Sequence, residues 1–255
     1  MRVLILSANT GGGHNSTAQA LAEQFEKMGV ACEIADTLSM ISEKVSNFIS
    51  WGHSYVYRKM PRLFGTAYRF EERHPPRKIY EYVAKGAVTL QEKLLSESFD
   101  AVICAHVFGG MMMTEVRRRF GNAVPCYFVA TDYTCSPGVG ALDMDSFFIP
   151  HRMLFGEFIR AMIPVDRLCA TGIPVKSNFY EKKDRREARK SLGIREDGRV
   201  VLLGGGSIGC GNLNRHALEL ANRLPHDVTL VVLCGKNEDP TVGRRGSRGV
   251  IAEML

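Results

Sequence analysis

A histidine directly after three glycines, in Gly11-Gly12-Gly13-His14-Asn15-Ser16, is the first group along this chain equipped to move a proton. Imidazole titrates near neutrality, so at the mouth of a crevice it can take a proton from a hydroxyl. Three more titratable residues, His106, Asp132 and His151, each stand just beyond an apolar run of their own. A second glycine-rich stretch, Gly204-Gly205-Gly206-Ser207-Ile208-Gly209-Cys210-Gly211, has five glycines in eight residues. Its chemistry would be that of backbone amides, which grip anions when side chains stand out of the way.

Elements must bring these groups together. Arg2-Val-Leu-Ile-Leu-Ser7 reads as a buried strand, the glycines as a tight turn, and the segment through Ala18, Leu21, Ala22 and Phe25 as a helix capped by Asn15 or Ser16. A strand follows at 31–36, a helix at 84–96 and a strand at 100–104. A helix at 111–120 then leads to strands at 126–130, 146–149 and 167–170. Alternation of this kind implies a parallel, doubly wound sheet. His14, His106, Asp132 and His151 then share the carboxyl-terminal rim, where ligands bind in open α/β sheets. His151 also suits an ordinary loop. The turn at Gly11 equally suits a plain Rossmann-type connection whose histidine caps or packs. It lacks a full G-x-G-x-x-G pattern, although Asp36 could serve as the acidic residue of a dinucleotide site.

The chain has 255 residues, 45% hydrophobic and 24% charged, which suits one large or two modest folded domains. No stretch approaches the ~18 apolar residues of a membrane span. Seven scattered cysteines without a C-x-x-C argue against a disulfide framework or a zinc site, and Cys104, Cys126 and Cys234 read as core residues. The net charge of +6 is concentrated locally. Residues 51–85 hold eight basic against three acidic residues, and eight of the chain's 22 aromatics. Trp51, Tyr55, Arg58, Lys59, Arg62, Phe64 and Arg69 belong to this segment. Such a stretch suits an anionic membrane interface, a nucleic acid, or a helix pair with aromatic core and solvated arginines. Nothing resembles a nucleic-acid-binding motif.

The charged stretch 176–195 reads as a helical connector, after which the pattern restarts: strand 199–203, the second glycine loop, helix 212–224 and strand 227–233. The domains expected are therefore 1–175, a partial second domain at 196–238, and an atypical tail at 239–255.

Gly11-Gly12-Gly13-His14, Thr131-Asp132-Tyr133, Gly172-Ile-Pro174, Gly204-Gly-Gly-Ser207 with Gly209, and Cys234-Gly-Lys-Asn-Glu238 occur in that order. Together they resemble the diacylglycerol glycosyltransferases, that is, monogalactosyldiacylglycerol synthases and processive diacylglycerol β-glucosyltransferases, from residue 1 to about 238. The resemblance implies a glycosyltransferase-B fold: an N-terminal Rossmann-like parallel-sheet domain for the lipid acceptor, and a Rossmann-like domain for the UDP-sugar, here incomplete. It implies inverting transfer of a hexose from UDP-glucose or UDP-galactose to diacylglycerol, without a metal. His14 would be the base at the acceptor hydroxyl, with Asp132 as direct base or orienter of His14. Gly11, Gly12, Gly13, Asn15 and Thr131 would form the acceptor loop. Gly204, Gly205, Gly206, Ser207, Gly209, Gly235, Asn237 and Glu238 would hold the donor. The segment 51–85 would dock the protein peripherally on the cytoplasmic face of the membrane. Two features depart from the family: Thr134-Cys-Ser-Pro137 running into Gly138-Val-Gly140 where an aromatic turn is expected, and a chain that stops soon after Glu238. The departures leave open a non-catalytic lipid-binding remnant, with a nucleotide-sugar epimerase as the other alternative. An exposed apolar edge is expected beyond the strand at 227–233.

Overall fold

The computed structural model describes residues 1–42, 44, 77–207, 209, 212–235 and 250–253. The proposed docking residues Trp51, Tyr55, Arg58, Lys59, Arg62, Phe64 and Arg69, and the donor residues Asn237 and Glu238, lie outside the described residues. Two compact units divide between Phe179 and Tyr180.

The first unit is built on six parallel strands: β1 (Arg2–Ser7), β2 (Ala31–Asp36), β3 (Ala101–Cys104), β4 (Cys126–Val129), β5 (Ser146–Ile149) and β6 (Leu168–Ala170), ordered β2-β1-β3-β4-β5-β6. Parallel strands are covered on both faces, which is why β1 and β3 are nearly all apolar. Side chains alternate between the two faces. Leu4 and Leu6 enter a core with Val102, Cys104 and Phe128, closed by α3 (Ala87–Glu97) and α4 (Val107–Phe120) through Leu90, Leu94, Met112 and Val116. Val3 and Ile5 enter the other core with Ile103, Ala105 and Ala18, covered by Leu21 and Phe25 of α1 (Gly12–Lys27). A short α2 (Arg77–Val83) precedes a single 3₁₀ turn at Ala84–Gly86, so α3 begins three residues later than the apolar spacing suggests. Tyr80 of α2 packs on the core and donates its hydroxyl to Gly138 O, and burial pushes its pKa up to about 12.

The strand order reverses at β1, with β2 on one side and β3 on the other. The carboxyl ends of β1 and β3 therefore flank the topological switch point, the usual ligand crevice of such sheets. The close seat of α4 depends on Gly109, where an added Cβ would stand 2.8 Å from Leu6 Cβ. That packing draws the poor helix formers Gly109 and Gly110 into α4, which starts at Val107 instead of the expected Met111. At the opposite, amino-terminal edge the charges are paired. Arg2 meets Glu33 at 3.0 Å, Lys93 meets Glu33 and Glu97 at 2.6 Å, and the Arg2 guanidinium lies over Phe99 at 4.6 Å.

A short α5 (Phe155–Arg160) follows β5. In the connector, a 3₁₀ turn at Ser177–Phe179 precedes α6 (Arg185–Ser191), which Asp184 caps by accepting the amides of Arg186 and Glu187, both at 2.9 Å. The second unit has three parallel strands, β7 (Arg199–Gly204), β8 (Val228–Leu233) and β9 (Val250–Glu253), in that order. Leu213, Ala217, Leu220 and Ala221 of α7 (Leu213–Arg223) pack on one face, against Leu230 and Val232. The edge of β8 expected to be exposed is paired with β9; the exposed apolar side chains lie on β7 instead, with Leu202 64% exposed and Val200 39%. Cys104, Cys126 and Cys234 are buried free thiols. Among the described residues no helix is long and apolar enough to cross a membrane.

Candidate active site

His14 sits in the first turn of α1 and is held by the ends of two other strands. Its Nδ1 lies 3.0 Å from Ala105 O, just past β3, and 2.9 Å from Thr131 Oγ1, just past β4. A carbonyl oxygen can only accept, so in the neutral ring Nδ1 carries the proton and Nε2 presents its lone pair. This is the tautomer a general base acting through Nε2 requires.

His106 forms one wall of the same site. It is 7% exposed, and its ring meets that of His14 edge to face, with centroids 4.4 Å apart and planes at 76°. Its Nδ1 accepts the Phe108 amide at 3.1 Å, capping α4. The neutral His106 proton is thereby placed on Nε2, 3.1 Å from Thr10 Oγ1. The sequence puts His106 on the rim but assigns it no role, and it offers no signal for Thr10. His151 caps the 3₁₀ turn at Arg152–Leu154, accepting the Met153 amide at 3.2 Å, and is exposed.

The helix α1 starts earlier than expected. Gly11 stands at its cap position in extended backbone, and no side chain caps the helix, so neither Asn15 nor Ser16 is the cap. Asn15 belongs to a polar chain that shapes the loop. Its Oδ1 accepts the buried Ser7 hydroxyl at 2.6 Å, and its Nδ2 donates to Asn9 Oδ1 at 2.9 Å. Asn9 donates through its amide and side chain to Asp36, both at 3.3 Å. Asp36 thus anchors the turn. None of Gly11, Gly12 and Gly13 is in the left-handed region, and beyond its chain neighbours a Cβ at Gly11 or Gly13 would meet none of the described residues within 4 Å.

Asp132 is exposed and accepts the Ser136 hydroxyl at 3.2 Å, while the groups that orient His14 are Ala105 O and Thr131. The loop after Asp132 is tied to α5, because Glu157 accepts Thr134 Oγ1 and the Cys135 amide, each at 3.0 Å. Burial, with Glu157 nearby, pushes the Cys135 thiol up to about 11, so it stays protonated at neutral pH and is no nucleophile. The departure at Gly138-Val-Gly140 is a packed turn: Gly138 has φ 90° and faces Met111 and Tyr80, and Gly140 lies against Ala161.

In the second unit β7 ends at Gly204, and the amide of Gly205 donates to Leu233 O at 3.3 Å. Gly206 turns at φ 70°, and Gly209 donates back to Gly206 O at 3.1 Å with φ 67°. Gly235, at φ 54°, presses on this loop: a Cβ there would stand 2.5 Å from Gly206 O and 2.6 Å from Ser207 O. Among the described residues no group of three or more His, Cys, Asp or Glu side chains has a metal-holding arrangement.

The model of the monogalactosyldiacylglycerol (MGDG) synthase family matches residues 14–175. The processive diacylglycerol beta-glucosyltransferase of Bacillus licheniformis is 25% identical over 242 residues, covering 92% of this chain and 61% of that protein. The chain therefore spans about 61% of the length of the curated relatives it matches. Acinetobacter baumannii MurG superposes with a TM-score of 0.50 at 16% identity, over 100% of this chain and 67% of that one. Anabaena Alr3699/HepE, solved with UDP-glucose, superposes with a TM-score of 0.55 at 13% identity, over 100% and 69%. The fold is that of the glycosyltransferase-B class, and with the match across 14–175 the chain belongs to the monogalactosyldiacylglycerol synthase family.

Proposed function

We propose that this chain takes part in inverting transfer of a hexose from a UDP-sugar, UDP-glucose or UDP-galactose, to diacylglycerol at the inner, cytoplasmic face of a membrane. The observation that carries the reading is the His14 ring, locked by Ala105 O and Thr131 with Nε2 as its basic nitrogen. His14 Nε2 takes the proton of the acceptor hydroxyl. The freed oxygen bonds to the anomeric carbon from the face opposite the leaving group. The bond from that carbon to the β-phosphate oxygen breaks, and UDP departs with its electron pair. The glycine loop after β7 is assigned to the growing diphosphate charge, through backbone amides other than those of Gly205 and Gly209, so the proposal assigns no metal to the step. Asp132 stands ready as a second polar group on the acceptor side. The basic aromatic segment 51–85 supplies attachment to anionic lipid.

The test is turnover of radiolabelled UDP-glucose and UDP-galactose with diacylglycerol in anionic vesicles, alongside calorimetric titration of UDP. The expected result is UDP binding with measurable transfer, and a loss of about 10²–10⁴ in rate for His14→Ala with UDP affinity unchanged. Transfer by His14→Ala at the parental rate would overturn the assignment of His14. Vesicle binding without UDP binding or transfer would identify this chain as a lipid-surface module that does no chemistry alone.

A further inference from the structure

Three helices close with the same pair of hydrogen bonds. In α1 Val30 donates to Phe25 O at 2.9 Å and Gly29 to Glu26 O at 3.0 Å. In α6 Ile194 donates to Arg189 O at 2.8 Å and Gly193 to Lys190 O at 3.1 Å. In α5 Ile163 donates to Phe158 O at 3.1 Å and Met162 to Ile159 O at 2.9 Å. This closure forces one residue into the left-handed region, which favours glycine. That residue is Gly29 at φ 72° and Gly193 at φ 67°, but in α5 it is Met162 at φ 68°. Met162 is also 84% exposed, so contacts within the unit do not explain its side chain.

The rest of the α5 tip has the same character. Met153 is 85% exposed and Ile159 46%. Arg152 and Arg160 are exposed, and neither forms an ion pair with a described residue. Among the described residues beyond its chain neighbours, a Cβ at Gly156 would meet only Arg160 Nη1, at 3.7 Å. Glu157, the one carboxylate between Arg152 and Ile163, turns inward to Thr134 and Cys135. Those bonds tie the tip to the loop that carries exposed Tyr133 and the Thr131 that contacts His14.

We propose that the α5 tip, Arg152, Met153, Ile159, Arg160 and Met162, enters the headgroup region of an anionic bilayer and is a lipid-docking surface separate from residues 51–85. Flexible thioether chains that protrude singly fit the irregular acyl boundary, and the guanidinia reach phosphates at headgroup level. Charge decides the occupant: two cations with no ion pair to a described residue, and the one carboxylate within 152–163 facing inward, complement an anionic surface. The inference rests on the reading of diacylglycerol as acceptor, because the tip joins the membrane to the loop beside His14.

The test is sedimentation of the full chain with vesicles containing phosphatidylglycerol, against pure phosphatidylcholine vesicles. Met162→Gly removes the exposed side chain and relieves the left-handed strain. Its Tm should rise while vesicle affinity falls about tenfold. Arg152→Gln with Arg160→Gln should weaken binding about tenfold and flatten its salt dependence. Parental affinity in both variants, failure of the parent to sediment, or equal affinity for phosphatidylcholine would each overturn the proposal. Hexose transfer to detergent-dispersed diacylglycerol separates the two claims. Transfer with unaltered vesicle binding in the tip variants sinks the docking surface alone. Tip-dependent vesicle binding by a parent that transfers no hexose sinks the reaction alone.

Discussion

Gly11–Gly13 after β1 and Gly204–Gly206 after β7 hold the same place in a strand, loop and helix sequence, yet their backbones answer different demands. The first loop has no left-handed residue and no crowding from the described residues at Gly11 or Gly13, and side chains from Ser7 to Asp36 hold its shape. The second turns through left-handed residues at Gly206 and Gly209 and is clamped by the close approach of Gly235. One loop keeps its glycines for space beside a titratable side chain, and the other keeps them for its own conformation. A glycine-rich string therefore does not announce its purpose until backbone angles and neighbours are known.

Substituting the clamp should give the largest effect on stability. Gly235→Ala puts a Cβ against two backbone carbonyls that cannot rotate away, at a residue with φ 54°. A loss of about 2–4 kcal/mol is expected in the second unit. Hydrogen exchange should show β7 and β8 losing protection while β1 and β3 keep theirs. Uniform loss in both units, or none, would break the distinction between the loops.

Much of this architecture can be read along the chain because parallel strands covered on both faces are nearly continuous apolar runs, as at Val3–Leu6 and Ala101–Cys104. His14 is legible for a local reason as well, since a strand, three glycines and a histidine can be recognised in sixteen residues. Its partners are not. Ala105 and Thr131 lie 91 and 117 residues away, and no local pattern assigns a carbonyl or a hydroxyl to Nδ1. Asp132, the residue that chemistry suggests as orienter, instead bonds to Ser136, because the loop is pulled toward α5 by Glu157. The start of α4 is hidden for a related reason. Helix propensity counts against Gly109 and Gly110, and only contact with Leu6 and Leu142 shows why they are helical.

A smaller effect is expected from the side-chain chain that shapes the first loop. Asn15→Ala leaves the hydroxyl of Ser7, a residue only 2% exposed, without its acceptor, at a cost of about 1–3 kcal/mol. The double variant Ser7→Ala with Asn15→Ala removes both partners and should recover part of that loss in chemical denaturation. A double variant no more stable than Asn15→Ala would move the weight to the bond between Asn15 and Asn9.

The smallest effect on stability, and the sharpest for the comparison, belongs to Gly13→Ala. Beyond its chain neighbours the new methyl group meets none of the described residues within 4 Å, and it sits in the first turn of α1, where alanine is the better helix former. Stability should therefore stay level or rise by up to about 1 kcal/mol. The methyl also stands on the rim one residue from His14, in the space assigned to the acceptor. Michaelis constants for diacylglycerol should rise several-fold while UDP affinity stays at the parental value. A variant unchanged in both stability and acceptor kinetics would mean that the space above Gly13 holds only solvent. The acceptor would then have to approach His14 from the side of Thr131, past Tyr133 and the α5 tip.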